Sequence, residues 1–127
     1  MAKTLMIIEG AYRVTLEEQD DPAVWITHAM KGAGAELDVL LRGNAVNYAV
    51  SAQDASGLSF GAKKQTQPPR VADEVAKLIG KGVKVHVVED DVAARGLERT
   101  ELVPGLDPVS KSGIARLIGG YARVWYW

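Results

Sequence analysis

Three consecutive carboxylates, Glu89-Asp90-Asp91, follow directly on the β-branched run Val85–Val88 and precede Val92-Ala93-Ala94-Arg95-Gly96. The run reads as a buried strand, and the loop leaving the carboxyl end of a parallel strand is where open α/β sheets hold ligands. Glu89 or Asp91 there can work as a general base or hydrogen-bond acceptor if burial raises its pKa. The plainer reading makes Asp90 or Asp91 the N-cap of a helix over Val92–Arg95, since Asp is a preferred cap and acids suit a helix start. Both can hold at once, because a cap at a strand end can face a cleft.

Two other strand-to-helix turns have the same orientation, Glu9–Arg13 and Arg42–Asn44. Together the three turns outline a candidate pocket of Glu9, Tyr12, Arg13, Arg42, Asn44, Glu89, Asp90 and Asp91. A small anion would find its cradle at Arg42 with the Gly43 and Asn44 amides; the bland alternative is a tight turn with Asn44 as cap. Tyr12, Tyr48 and Phe60 are available to wall a cleft. Gly57-Leu58-Ser59-Phe60-Gly61 has the spacing of a serine-hydrolase elbow, but neither a strand precedes it nor a helix follows, so it reads as a loop. Gly32-x-Gly34 and Gly80-x-Gly82 follow helices and precede strands, the reverse of a phosphate loop, and read as helix stops. Of the two histidines, His28 falls on a helix surface, and His86 sits at an odd offset from Glu89, which sends the two to opposite faces of a strand. No metal site and no cofactor is expected.

The elements that must position these residues alternate. Leu5–Ile8 is a short buried strand. Asp20 or Asp21 caps a helix with Pro22 at its first position and Trp25, Ile26, Ala29 and Met30 along one face. Leu37–Leu41 is a second strand, followed by a short helix in which Val46, Ala49 and Val50 share a face. Pattern is lost from Gln53 to Pro69, and a loop of that length tends to be functional or mobile. Pro69 opens a helix with the stripe Val71, Val75, Leu78 and Ile79; Val83–Val88 is the third strand. Leu102–Leu106 is a brief strand, Ser110 caps a last helix, and Val124–Trp127 closes as a strand. Trp125 and Trp127 share one face and Tyr126 the other, placed either to pack under a helix or to meet another subunit. Such alternation implies one domain, residues 1–127: a three-layer α/β/α sandwich with a mostly parallel sheet of four or five strands.

Composition narrows the partners. With 127 residues, 47% hydrophobic and 24% charged, the chain supports a single core of ordinary soluble type. A net charge of −1 argues against general affinity for nucleic acid or an anionic membrane. No run of the sequence has the length of a signal or transmembrane segment, which fits a soluble, unprocessed, cytoplasmic protein. There is no cysteine, hence no disulfide, thiolate metal site or thiol nucleophile.

Several stretches then fall into a known order. Asp21-Pro22 leads an Ala/Gly-rich helix and Glu36–Arg42; Leu40-Leu41-Arg42-Gly43-Asn44-Ala45-Val46 makes a strand-to-helix turn; Gly82–Leu97 ends in Ala94-Arg95-Gly96-Leu97, with Leu102-Val103-Pro104-Gly105 and Val124–Trp127 beyond. In that order and spacing the chain resembles the DsrE/DsrF-like family of small α/β proteins over nearly its whole length. The resemblance implies homo-oligomers, trimeric or hexameric, or mixed rings with other chains. Sulfur-transferring members carry a cysteine before the Ala-Arg-Gly-Leu-like stretch, at positions that fall at or near Val88 and Asp91 here. A carboxylate cannot carry sulfane sulfur. The expectation is therefore a cytoplasmic, homo-oligomeric binding or accessory module, linked to sulfur metabolism by resemblance and without sulfurtransferase chemistry. Two alternatives stand beside it. One is a small-molecule binder or enzyme using Glu9, Arg42, Glu89 and Asp91 around one pocket. The other is a non-catalytic subunit whose DsrE-like or sulfur-relay partner supplies the cysteine.

Overall fold

The computed structural model describes residues 2–13 and 21–127. Strand β1 (Thr4–Ile8) is the buried run expected, and helix α1 (Pro22–Gly32) follows. Asp21 caps α1, its Oδ1 accepting from the amides of Ala23 at 2.8 Å and Val24 at 3.3 Å, while Pro22 sits where a missing N–H costs nothing. The other expected cap, Asp20, lies outside the described residues. Gly34, at φ 93°, turns the chain toward β2 (Leu37–Leu41), which runs into a 3-10 helix over Gly43–Ala49.

Inside the stretch read as patternless, Ser59–Phe60 (β3) and Lys63–Lys64 (β4) pair as a small antiparallel hairpin. Helix α2 (Val71–Gly80), strand β5 (Val85–Val88) and helix α3 (Glu89–Ala94) come next. A 3-10 turn at Arg99–Glu101 precedes β6 (Asp107–Val109). Another at Lys111–Gly113 runs into α4 (Ile114–Gly119), and β7 (Arg123–Tyr126) is last.

Strands β6-β5-β2-β1-β7, in that order, form one parallel sheet of five. This is the α/β architecture the alternation implied. Side chains leave a strand to alternate faces, so both faces of β1 and β2 carry core. On one face Met6, Ile8, Val39, Leu41, Val85 and Val87 pack with α1, the Gly43–Ala49 helix, α2 and Val92 of α3. On the other, Leu5, Ile7, Leu40 and Val88 meet Ile114 and Leu117 of α4. Each fully buried Leu, Ile or Val contributes about 1.5–3 kcal/mol, so the larger core anchors the loops at the carboxyl ends of β1 and β2.

Four local expectations are corrected. Trp25 is 59% exposed, and the inner side of α1 is formed by Ala23, Val24 and Thr27, with Ile26 and Met30 partly buried. Thr27 can be buried because its hydroxyl donates to the Ala23 carbonyl at 2.7 Å. The strand expected at Leu102–Leu106 starts at Asp107 instead: Leu102 makes only an isolated bridge to Val50, and Pro104-Gly105 breaks the extended run. Ser110 stands before the 3-10 turn, yet its hydroxyl meets that of Ser112 at 3.1 Å and caps no amide. His28 is not a free surface side chain. Its Nε2 lies 2.9 Å from the Glu74 carbonyl and its Nδ1 2.9 Å from Lys81 Nζ, which ties α1 to α2.

Candidate functional site

The acidic turn is not built as a cap. Strand β5 passes into α3 without a loop, so Val88 takes the cap position and Glu89, Asp90 and Asp91 form the first helical turn. Their carboxylates reach other elements. Asp91 Oδ2 accepts from the Gly43 amide at 2.8 Å and Asp90 Oδ1 from the Lys111 amide at 2.7 Å. The expectation of Asp90 or Asp91 as N-cap is thus corrected: both acids suit the positive helix end, but each satisfies an orphan amide elsewhere. Glu89 instead borders a cavity of about 250 Å³ with Val87, Val92, Leu97, Arg99 and Pro108. Val88, one of the two positions nearest the family cysteine, is fully buried in the smaller core.

The anion cradle expected at Arg42, Gly43 and Asn44 has its central amide taken from within the protein. The Gly43 amide already donates to Asp91, and Asn44 caps nothing. Asn44 Oδ1 accepts from Arg95 Nε at 3.1 Å and Nη2 at 2.7 Å, while Arg95 Nη1 donates to the Asp91 carbonyl at 3.0 Å. Gly43 has φ 58°, and a Cβ there would meet Glu9 Cγ at 3.1 Å. Glu9 in turn accepts from the Tyr126 hydroxyl, which raises the pKa of that phenol. The ends of β1, β2 and β5 are therefore brought together around Glu9, Gly43 and Asp91, but as a closed network. The cavity described next is lined by none of Glu9, Arg42, Asn44, Asp90 and Asp91.

Concave space lies one step further along the loops. A cavity of about 450 Å³ is walled by Tyr12 from the loop after β1, Asn47 and Tyr48 from the helix after β2, Leu58 and Gln65 from the long connection, and Pro68, Pro69 and Val71 at the start of α2. That volume is within the range of small-molecule sites, and the position beyond the carboxyl ends of successive parallel strands is the usual one. Tyr12 and Tyr48, expected as cleft walls, meet here; Phe60 does not contribute.

The polar groups of this cavity are ordered from beneath. The Tyr48 hydroxyl donates to buried Asp21 at 2.6 Å, and burial together with that bond pushes its pKa up to about 12. Arg13 approaches the same carboxylate, its Nε 3.6 Å from Asp21 Oδ2, and its amide donates to the Tyr48 oxygen at 3.4 Å. Gln53 crosses the connection, donating to the carbonyls of Asn47 and Tyr48 and accepting from the Ala72 amide. Asn47 Nδ2 donates to the Tyr12 hydroxyl and to the Asn44 carbonyl, both at 3.0 Å. Tyr12 is 69% exposed and holds φ 62°, the one left-handed non-glycine residue among those described. Such a backbone costs energy and persists where its surroundings over-determine it.

Of the sequence-level candidates, Tyr12 lines the cavity and Arg13 supports it, whereas Glu9, Asn44, Asp90 and Asp91 are bonded within the protein away from it, and Arg42 lies outside its lining. Asp21, Asn47, Gln53 and Asp54 were not candidates. The available signal for Gln53 and Asp54 was the long patternless connection itself; Asp21 and Asn47 lie outside it.

The aromatic strand β7 lies at the sheet edge beside β1. Val124, Trp125 and Tyr126 are exposed, and the Trp125 and Trp127 rings share a face with centroids 6.1 Å apart. The Trp127 carbonyl accepts from the amides of Glu9 and Gly10, both at 3.0 Å. Among the described residues no helix is long and apolar enough to cross a membrane.

No protein-family model matches the chain, and no curated protein does. Solved structures do. The ychN protein from E. coli superposes with a TM-score of 0.75 at 16% identity, covering 100% of both chains. A protein of unknown function, MTH1491 from Methanobacterium thermoautotrophicum, gives 0.62 at 17% identity over 98% of this chain and 97% of the other. These likenesses show the fold. It is the mostly parallel α/β fold that the DsrE/DsrF-like resemblance implies.

Proposed function

We propose that this chain is a DsrE-like binding module that holds a small organic molecule in the Tyr12–Tyr48 cavity and has no sulfur-carrying chemistry of its own. The observation that carries this reading is the contrast at the strand ends. Asp90 and Asp91 after β5 are taken up by backbone amides, while the cavity beyond β1 and β2 keeps about 450 Å³ of space edged by oriented polar groups. The absent cysteine supports the second half, since persulfide transfer needs a thiol. Its action is that of an accessory protein in the cytoplasm, linked to sulfur metabolism by resemblance alone. The exposed aromatic edge β7 supports assembly with further copies, trimeric or hexameric, because large aromatics favour interface centres.

Thermal denaturation against small aromatic amides and amines tests binding: a ligand of the native state raises the melting temperature as its concentration exceeds Kd. Cyanide-labile sulfur after incubation with a persulfide donor tests the rest. No uptake is expected, and stoichiometric uptake by the purified protein would refute the reading. Light scattering that found only monomers would remove the assembly.

A further inference from the structure

Which molecules the cavity admits follows from what its polar groups have left to offer, and this step rests on the cavity being the binding site. Its described lining contains Tyr12, Asn47, Tyr48, Gln53, Asp54, Ser56 and Gln65 as polar residues, and neither lysine nor arginine. The two arginines that flank it are turned elsewhere. The Arg13 guanidinium faces Asp21, and Arg70 lines a separate cavity of about 60 Å³ with Asp73.

Apart from the Tyr12 hydroxyl proton, the side-chain donors of Asn47, Gln53 and Tyr48 are spent within the protein. Both Asn47 amide hydrogens go to the Tyr12 oxygen and the Asn44 carbonyl, which also fixes the orientation of that amide. The Gln53 amide is spent on two carbonyls, and the Tyr48 proton on Asp21. Acceptors remain. Asn47 Oδ1 takes no bond among the described residues, and Asp54, whose Oδ1 accepts from the Ser56 amide at 2.9 Å, adds a carboxylate that bonds to Ser56 alone among them. Hydrogen bonds from the Ser56 side chain and amide hold the Asp54 carboxyl below its ordinary pKa, so it is charged at neutral pH. The Tyr12 ring, Leu58, Pro68, Pro69 and Val71 supply flat apolar walls, and a tyrosine face attracts cations.

We infer that the cavity selects neutral or cationic planar molecules bearing N–H or O–H donors, and turns anions away. An anion would lose its hydration without meeting a counter-charge and would lie beside Asp54. A planar cation would meet acceptor oxygens, an aromatic face and a carboxylate. The anionic sulfur compounds that sulfur-handling relatives would suggest, such as thiosulfate, are therefore poor ligands for this cavity.

The test uses one ring in three charge states. Benzamidinium, benzamide and benzoate are titrated into ¹⁵N-labelled full-length protein, and amide shifts are followed at Tyr12, Asn47, Leu58 and Val71. Benzamidinium should bind tightest, with benzoate weaker than benzamide by about tenfold or more, the factor a difference of about 1.4 kcal/mol gives. Asp54→Asn should bring the benzamidinium-to-benzamide affinity ratio to within about twofold, with the amide spectrum dispersed as before to report an intact fold. Benzoate binding at these residues as tightly as benzamide would overturn the selectivity and leave the cavity as a binding site. Shifts by none of the three at these residues would overturn both.

Discussion

The turn after β5 and the cavity beyond β1 and β2 start from the same condition, the carboxyl end of a parallel strand, and reach opposite ends. The first is rich in charge and most of that charge is bound within the protein: Asp91 holds the Gly43 amide, Asp90 holds the Lys111 amide, and Arg95 is spent on Asn44. The second is open and holds one carboxylate, Asp54, with no lysine or arginine in its described lining, and Tyr12 is held there at an unfavourable φ. A run of acids at a strand end is thus no measure of chemistry. What counts is whether the neighbouring backbone has orphan amides to consume them.

The contrast has measurable consequences. The largest is expected beneath the cavity. Asp21→Ala removes the α1 cap and strands the buried Tyr48 hydroxyl, a loss of about 2–4 kcal/mol by urea denaturation. Next comes the closed network. Gly43→Ala places a Cβ against Glu9 in a left-handed conformation and should cost about 1–2 kcal/mol; probe binding in the cavity should be unchanged by it, and a loss of binding would merge the two regions into one site.

Acid stability distinguishes a third cluster, on the opposite face. Burial pushes the Asp38 carboxyl up, but bonds from the Tyr121 hydroxyl at 2.6 Å, Lys3 and the Lys84 amide outweigh it and hold the pKa below the ordinary value. Burial of His86, opposed by Asp107 and Asp38, lowers that imidazole. In both cases the unfolded chain binds more protons in the window between the two pKa values, so stability is lost as pH falls. Denaturation midpoints should decline first below about pH 6.5, through His86, and again below about pH 4, through Asp38. His86→Gln should abolish the first step and keep the second. The smallest effect is expected at Tyr12. Tyr12→Gly relieves the left-handed backbone and forfeits the Asn47 bond, leaving stability within about 1 kcal/mol of the parent while weakening probe binding.

Local rules made much of the fold legible. Apolar runs, unbroken in β1 and interrupted only by Asp38 in β2 and His86 in β5, marked these strands; Asp21-Pro22 marked the start of α1; glycines after α1 and α2 marked their ends. The outward Trp25 was hidden because Thr27 satisfies its own hydroxyl on the helix backbone and can be buried in its place. The site was legible only as a place. Tyr12 and Arg13 follow from the turn after β1, and the long connection announced itself by its lack of pattern. The pairings that decide the chemistry, Asp91 with Gly43 and Tyr48 with Asp21, join residues 48 and 27 positions apart and depend on tertiary packing that no local spacing encodes.

The most direct test of the account is where a ligand sits. Benzamidinium soaked into crystals of the full-length protein is predicted to lie between Tyr12, Asn47, Leu58 and Pro69 with its nitrogens toward Asp54. Density for it against Glu9, Asp90 or Asp91 instead, with the cavity empty, would contradict the account.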